Sequence, residues 1–222
     1  MIRAISFQVA LKFLTILFIL PLLWSCSSGS NDNQTDLNPF DPSIPLDPAL
    51  PIDPDFPNYT VILLEPGADL ENRILSALIT AEQNTVVQLP AGTYDFVGEL
   101  SSSVDNIVLR GTGMDAESGT VLRFDGQTTG AQSLLATGNN FVVQDLAIEN
   151  SPGDAIKVIG TNGVTIRRVR IEWTNGPDEN NGAYGLYPVQ TRNVLIEDCE
   201  VRGASDAGVY VGQSENIIVR RN

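Results

Sequence analysis

An all-β solenoid is the fold class this sequence predicts: a right-handed parallel β-helix with a short N-terminal capping helix. Three observations predict it. The chain repeats: FVVQDLAIENSPGDAIKVIGTNG (141–163), VTIRRVRIEWTNGPDENNGAYGLYPVQTRN (164–193) and VLIEDCEVRGASDAGVYVGQSEN (194–216) align, and IIVRRN (217–222) opens a further block. Two blocks have 23 residues and the middle one 30, with the excess confined to WTNGPDENNGA. A period in the low twenties made of short β-branched runs belongs to a solenoid rather than to a compact single-core domain. Within each block the apolar residues follow the strand period, as in Phe141, Val143, Leu146 and Ile148, then Val164, Ile166, Val169 and Ile171, then Val194, Ile196, Cys199 and Val201. A second short run follows (AIKVI, GLYPV, GVYVG) and no helical period appears, so three short strands per coil are expected. Polar residues also align in columns. Asp145, Arg168, Asp198 and Arg221 form one, and Gln144, Arg167, Glu197 and Arg220 form its neighbour. Read as outward, solvated columns, they place opposite charges on successive coils. Asn106, Asn140, Gly163, Asn193 and Asn216 precede the first strands at a constant offset, which predicts a side-chain ladder at a left-handed turn.

Taken from the N-terminus, residues 1–25 carry Arg3 and Lys12 and then an apolar run from Phe13 to Leu23, too short for a typical membrane span. The run ends Leu23-Trp24-Ser25-Cys26, which resembles the lipobox of bacterial lipoprotein precursors, with Trp24 departing from the usual small residue. That resemblance implies a signal peptide over 1–25, a membrane anchor through lipidation of Cys26, and export to the cell envelope, with the outer membrane as destination. Residues 26–58 are polar at first and then carry Asp41-Pro42, Asp47-Pro48 and Asp53-Pro54, a composition expected to form a flexible stalk.

The β-helix domain is expected over 59–222. YTVILL (59–64) opens it. DLENRILSALITAE (69–82) predicts a helix with Ile74, Leu75, Leu78 and Ile79 on one face and Asp69 as N-cap. NTVVQLPAGTY (84–94) returns to strand. A short amphipathic helix, a buried strand and LPAGTY resemble the N-terminal cap and first coil of the pectate-lyase-like right-handed β-helix superfamily. That superfamily includes lyases, hydrolases, epimerases, binding proteins and adhesins, so the resemblance implies a fold more than an activity. Residues 107–140 form a longer coil. Their Gly111-Thr112-Gly113-Met114-Asp115-Ala116 fits a dinucleotide fingerprint in spelling only, because no helical pattern follows it. The chain stops in mid-coil at IIVRRN, which predicts that further coils lie beyond Asn222.

Composition limits the chemistry. The formal charge is −14 and there is no histidine, which removes serine–histidine and cysteine–histidine nucleophiles and histidine-ligated zinc from these 222 residues. No basic stripe is present, which argues against a nucleic-acid partner. Cys199 occupies an inward strand position and is expected to be a small buried hydrophobe rather than a nucleophile. A monomer is expected.

The candidate site lies on the second strand of the blocks. Counting back from the asparagine ladder aligns Leu134, Lys157, Tyr187 and Tyr210 outward and Leu135, Val158, Pro188 and Val211 inward. Asp154, Tyr184 and Asp206 border the same face, and the insertion carrying Asp178 and Glu179 leaves the solenoid beside it. Aromatic rings offer flat apolar surfaces to sugar C–H faces, while carboxylates and lysine bond hydroxyls or carboxyls. Lys157, Tyr187, Tyr210, Asp154, Asp206, Asp178 and Glu179 are therefore the expected polysaccharide contacts. Asp178 and Glu179 with Asp206 could hold Ca²⁺, though no fixed-spacing motif supports it; no other cofactor is indicated. Tyr184-Gly185-Leu186-Tyr187-Pro188-Val189 resembles the Tyr-Gly-Phe-Asp-Pro-His segment of mannuronan C5-epimerases. Tyr184, Gly185 and Pro188 match, but Tyr187 and Val189 stand where that family has its catalytic aspartate and histidine. The resemblance implies a groove in the same place. For turnover, Lys157 as base with Tyr184 or Tyr187 as proton donor are the candidates. Two readings stand: a cell-envelope protein that binds, and in one form modifies, a polysaccharide, and a non-catalytic scaffold or adhesion module that binds a protein.

Overall fold

The computed structural model describes residues 56–222. The expected leader, the lipidation site Cys26 and all but the end of the expected stalk lie outside them. The described chain is a stack of parallel coils. Strand β1 (Thr60–Leu63) precedes helix α1 (Leu70–Thr80). The coils then run through β2 (Thr85–Gln88), β3 (Gly92–Asp95), β4 (Leu100–Ser102), β5 (Ile107–Arg110), β6 (Thr120–Arg123) and β7 (Gln132–Ala136). They continue as β8 (Phe141–Glu149), β9 (Asp154–Ile159), β10 (Asn162–Glu172), β11 (Tyr184–Val189), β12 (Arg192–Glu197), β13 (Glu200–Arg202), β14 (Ala207–Val209) and β15 (Glu215–Arg220).

Every pairing is parallel, and three faces result. The first runs β1-β2-β5-β8-β10-β12-β15. The second joins β3, β6, the ends of β8 and β10, and β13. The third runs β4-β7-β9-β11-β14. The register is the one the repeats predict: Phe141 pairs with Val164, Val164 with Val194, and Val194 with Ile217.

In β8 and β10 the first and second faces are one strand bent at a single residue, and β12 and β13 flank the same bend. Asp145, Arg168 and Asp198 have φ of 58°, 48° and 54°. A left-handed residue turns the chain without breaking pairing on either side, which is why the inward residues run Phe141, Val143 and then Leu146, Ile148. The cost of these φ values is offset by charge pairing up the stack. Arg168 donates to Asp145 at 2.6 and 2.8 Å, and Arg221 donates to Asp198 at 2.7 and 2.8 Å. The neighbouring column departs from expectation. Gln144, Arg167 and Glu197 are buried, not solvated. They point out of the core but into the corner the bend creates. There Arg110 donates to Gln88, Arg167 to Gln144 and Arg220 to Glu197, at 2.6, 3.0 and 2.8 Å. Such charges are tolerated out of water only because they are hydrogen-bonded.

The expected ladder also forms. Asn106, Asn140, Asn193 and Asn216 have φ of 52–58°. Asn140 donates to Asn106 at 2.8 Å and Asn216 to Asn193 at 3.2 Å. At the glycine rung Asn193 turns to Asn162 instead, at 2.7 Å. A Cβ on Gly163 would collide with the Asn140 side chain, so glycine is required there.

Helix α1 closes the end of the core with Leu70, Ile74, Ala77 and Leu78, covering apolar side chains that an open coil would expose. Two expectations for it are corrected. Ile79 is exposed, because the buried stripe passes through Leu70 and Ala77. Asp69 stands at the N-cap position but makes no capping bond; its carboxylate takes the Arg73 guanidinium at 3.1 Å. The Gly111–Ala116 segment lies in a loop between β5 and β6 with no helix after it, folding back so that Gly113 N–H meets the Asp145 carbonyl at 2.8 Å.

Candidate functional site

The third face carries the residues of interest. In β9 and β11, Lys157 pairs with Tyr187 and Pro188 with Val158. Tyr184 pairs with Ala207 of β14, and Tyr210 follows that strand, its amide bonding the Leu186 carbonyl at 2.9 Å. One rung differs from expectation. Leu135, not Leu134, is the partner of Lys157, and Leu134 is fully buried inside. The turn from β7 into the ladder is one residue shorter than its equivalents, so counting back from Asn140 lands one place early. The outward column is Ser101, Leu135, Lys157, Tyr187 and Tyr210.

Three tyrosines meet on this face. The Tyr184 and Tyr210 rings stack with centroids 4.8 Å apart and planes 16° apart. Tyr187 tilts against both, at 4.8 and 5.4 Å. The Lys157 ammonium lies 4.8 Å from the Tyr187 ring centroid and 3.8 Å from the Asp154 carboxylate. Both are contacts of a cation acting as donor and charge. Burial raises the Asp154 carboxyl above its ordinary value, against the opposing pull of Lys157 and of the Tyr184 amide that it accepts. Tyr184 is raised above the ordinary phenol, first by the hydrogen bond between its hydroxyl and Asp206. Tyr184 thus bridges the two carboxylates, one through its backbone and one through its hydroxyl.

Asp178 is hydrogen-bonded within the insertion, and Glu179 beside it is exposed. Their loop is folded on itself: the Asp178 carboxylate accepts the Asn180 amide and side chain, each at 2.8 Å, which hold it below the ordinary carboxylate value. Asn181 ties the loop to the Gly176 and Gly203 carbonyls at 2.9 and 2.7 Å. Trp173 anchors the loop's start, buried, with its indole N–H on the Ser151 carbonyl at 2.7 Å. Among the described residues no group of three or more acidic, cysteine or histidine side chains is placed to share a metal ion. The loop leads from β10 into β11 and so enters the third face just before Tyr184. Over the second face lie a cavity of about 220 Å³ lined by Asp125, Asn150, Trp173 and Asn181, and a shallower one of about 530 Å³ beside Asp95, Arg123 and Glu149. Neither includes a tyrosine.

Residues 106–222 match the model of the right handed beta helix region. The chain belongs to the right-handed β-helix family. Within that fold, the chain is similar to pectinesterase 2.1 of Solanum lycopersicum, 31% identical over 111 residues, which is 46% of this chain and 20% of the relative. The chain therefore spans about a fifth of the length of that relative. A solved structure, the catalytic domain of GH87 alpha-1,3-glucanase in complex with nigerose, aligns over 72% of this chain and 32% of its own at 15% identity. Its TM-score of 0.36 is too low to carry an argument.

Two contributors to the β-helix face were missed by sequence reasoning. Glu99 accepts the Ala131 and Gln132 amides, both at 3.0 Å, and Gln132 neighbours Asp154, so an acidic edge continues below the tyrosines. Trp173 stands in the sequence only as the first residue of the insertion. Its apolar size at the start of a polar loop was the available signal, since a tryptophan there anchors rather than projects.

Proposed function

We propose that the chain is an exported cell-envelope protein, tethered through Cys26, that binds a polysaccharide along the third face. The observation that carries this reading is the cluster of Tyr184, Tyr187 and Tyr210, three rings in mutual contact, two on β11 and one just past β14. Rings held by one another offer a rigid apolar platform at low entropic cost, and Asp154, Asp206 and Lys157 at its margin bond hydroxyls. The insertion loop enters this face at one margin, leading into β11. The similarity to a pectinesterase is in keeping with a carbohydrate ligand.

Binding is favoured over turnover. Lys157 is engaged by Asp154 and by the Tyr187 ring, and the Tyr184 hydroxyl by Asp206, so the groups suited to base and donor roles are held as binding contacts. Val189, where the epimerase segment has its histidine, is buried. Tyr210 is 44% exposed. Tyr210→Ala is expected to weaken glycan binding about 10-fold or more, about 1.4 kcal/mol, while shifting the thermal midpoint by no more than about 4 °C. Affinity titration against a polysaccharide panel, alongside thermal melts, checks both. Unchanged affinity in a folded variant overturns the proposal. New chain ends or altered C5 stereochemistry in the same assay would make Lys157, Tyr184 and Tyr187 catalytic candidates.

A further inference from the structure

Resting on that reading, we infer that the third face selects neutral, hydroxyl-rich glycans and rejects polyuronates. A sugar acid polymer needs cations it can reach. Lys157 is the only lysine or arginine on the outward column, and its charge is already answered by Asp154 at 3.8 Å. On the insertion side, Glu99, Asp154 and Asp206 form an acidic margin along the stack. The opposite margin adds no unanswered cation: Arg192 is paired with Glu215 at 3.2 Å, and the rungs beside it present the neutral amides of Gln190 and Gln213, 3.5 Å apart. Three carboxylates thus stand against one lysine across the face, an excess of two negative charges. The surrounding field has the same sign, since residues 56–222 hold 21 acids and 11 bases. A polyanion approaching this face is repelled before it can stack, and like-charge contact suppresses a wrong partner more strongly than matched charge rewards a right one. For a neutral sugar the same groups are favourable. Carboxylates accept pairs of adjacent hydroxyls, amides both donate and accept, and the tyrosine rings meet the C–H face.

The test uses the full chain purified in detergent, with EDTA present so that no divalent cation bridges like charges. Neutral gluco- and manno-oligosaccharides are titrated against oligogalacturonate and oligomannuronate of matched length, at about 20 mM and about 500 mM salt. The expected result is binding of a neutral oligomer, lost in Tyr210→Ala, with uronate affinity at least about 10-fold weaker at low salt. The gap is expected to narrow at high salt, where repulsion is screened. Asp154→Asn and, as an exposed second variant, Asp206→Asn are expected to move the uronate-to-neutral affinity ratio several-fold toward uronate. Uronate binding as tight as neutral binding and sensitive to Tyr210→Ala overturns this inference and leaves the binding face standing. Binding of no oligomer, or binding indifferent to Tyr210→Ala, overturns the binding face and this inference with it.

Discussion

Tyr184 shows how much of this site is decided residue by residue. Its ring stacks on Tyr210, its hydroxyl meets Asp206, and its amide meets Asp154, so one side chain sets the positions of two carboxylates and an aromatic wall. Cys199 is the contrasting case. It sits beneath the bend, 5% exposed, one residue before Glu200, which pairs with Arg170. Burial pushes its thiol up to about 11, and its Sγ lies 3.2 Å from the Glu197 carbonyl. A thiol held protonated is a poor nucleophile. Cys199 is therefore expected to resist alkylation by iodoacetamide at pH 8 in the folded chain and to react at the rate of a free cysteine in denaturant. Mass spectrometry of digested samples resolves it from Cys26, and rapid labelling of native Cys199 is the contrary result.

At the scale of the element, each coil is two kinds of turn holding three short strands. The bend at Asp145, Arg168 and Asp198 and the ladder at Asn140, Asn193 and Asn216 both place non-glycine residues at positive φ, the conformation that asparagine and aspartate tolerate best. Asn193 is the most connected rung, donating to Asn162 and accepting from Asn216. Asn193→Ala loses both bonds and puts a Cβ-bearing residue without local hydrogen bonding at φ 56°. It is expected to cost about 2 kcal/mol, while Asn193→Gly, which relieves the backbone, costs less. Chemical denaturation of the two variants checks the order, and equal losses would mean that the backbone conformation contributes nothing.

The whole molecule behaves as a stack in which each coil leans on its neighbours, and carboxylates hydrogen-bonded within loops or paired between coils couple its stability to pH. Asp115, Asp178 and Asp198 are all held below the ordinary carboxylate value, Asp198 first by the hydrogen bond from Arg221. A carboxyl depressed in the folded state adds stability above its unfolded value of 3.8, and this is lost as pH falls through the lower folded value. Asp154, raised by burial, has the opposite sign. It gives its stability at low pH and loses it as pH rises from 3.8 through its folded value. Three depressed groups against one raised group predict a thermal midpoint that falls below about pH 4. Asp198→Asn keeps a residue suited to positive φ and removes the charge. It is expected to flatten part of that acid limb, and melts from pH 2 to 6 with an unchanged limb would remove Asp198 from its cause.

The repeat alone determined the fold class. A period of 23 with alternating apolar residues can bury them only if successive turns stack in parallel, and the block alignment matched the observed register from Phe141 to Ile217. It also determined that Lys157, Tyr187 and Tyr210 share an outward column, because equivalent positions in stacked coils must share a face. Tertiary structure decided what lies between coils. Gln144, Arg167 and Glu197 look like solvated surface in a string of letters, yet one left-handed residue folds them into a buried corner. The shortened turn before Asn140 shifted Leu135 into the column that Leu134 was expected to hold. The insertion's length was visible, but its path was not: Trp173 pins its start to the Ser151 carbonyl, Asn181 ties it to the Gly176 and Gly203 carbonyls, and the Asp178 carboxylate is engaged by Asn180. Periodicity specifies which residues are equivalent, and only the bend angles and loop contacts specify which of them meet.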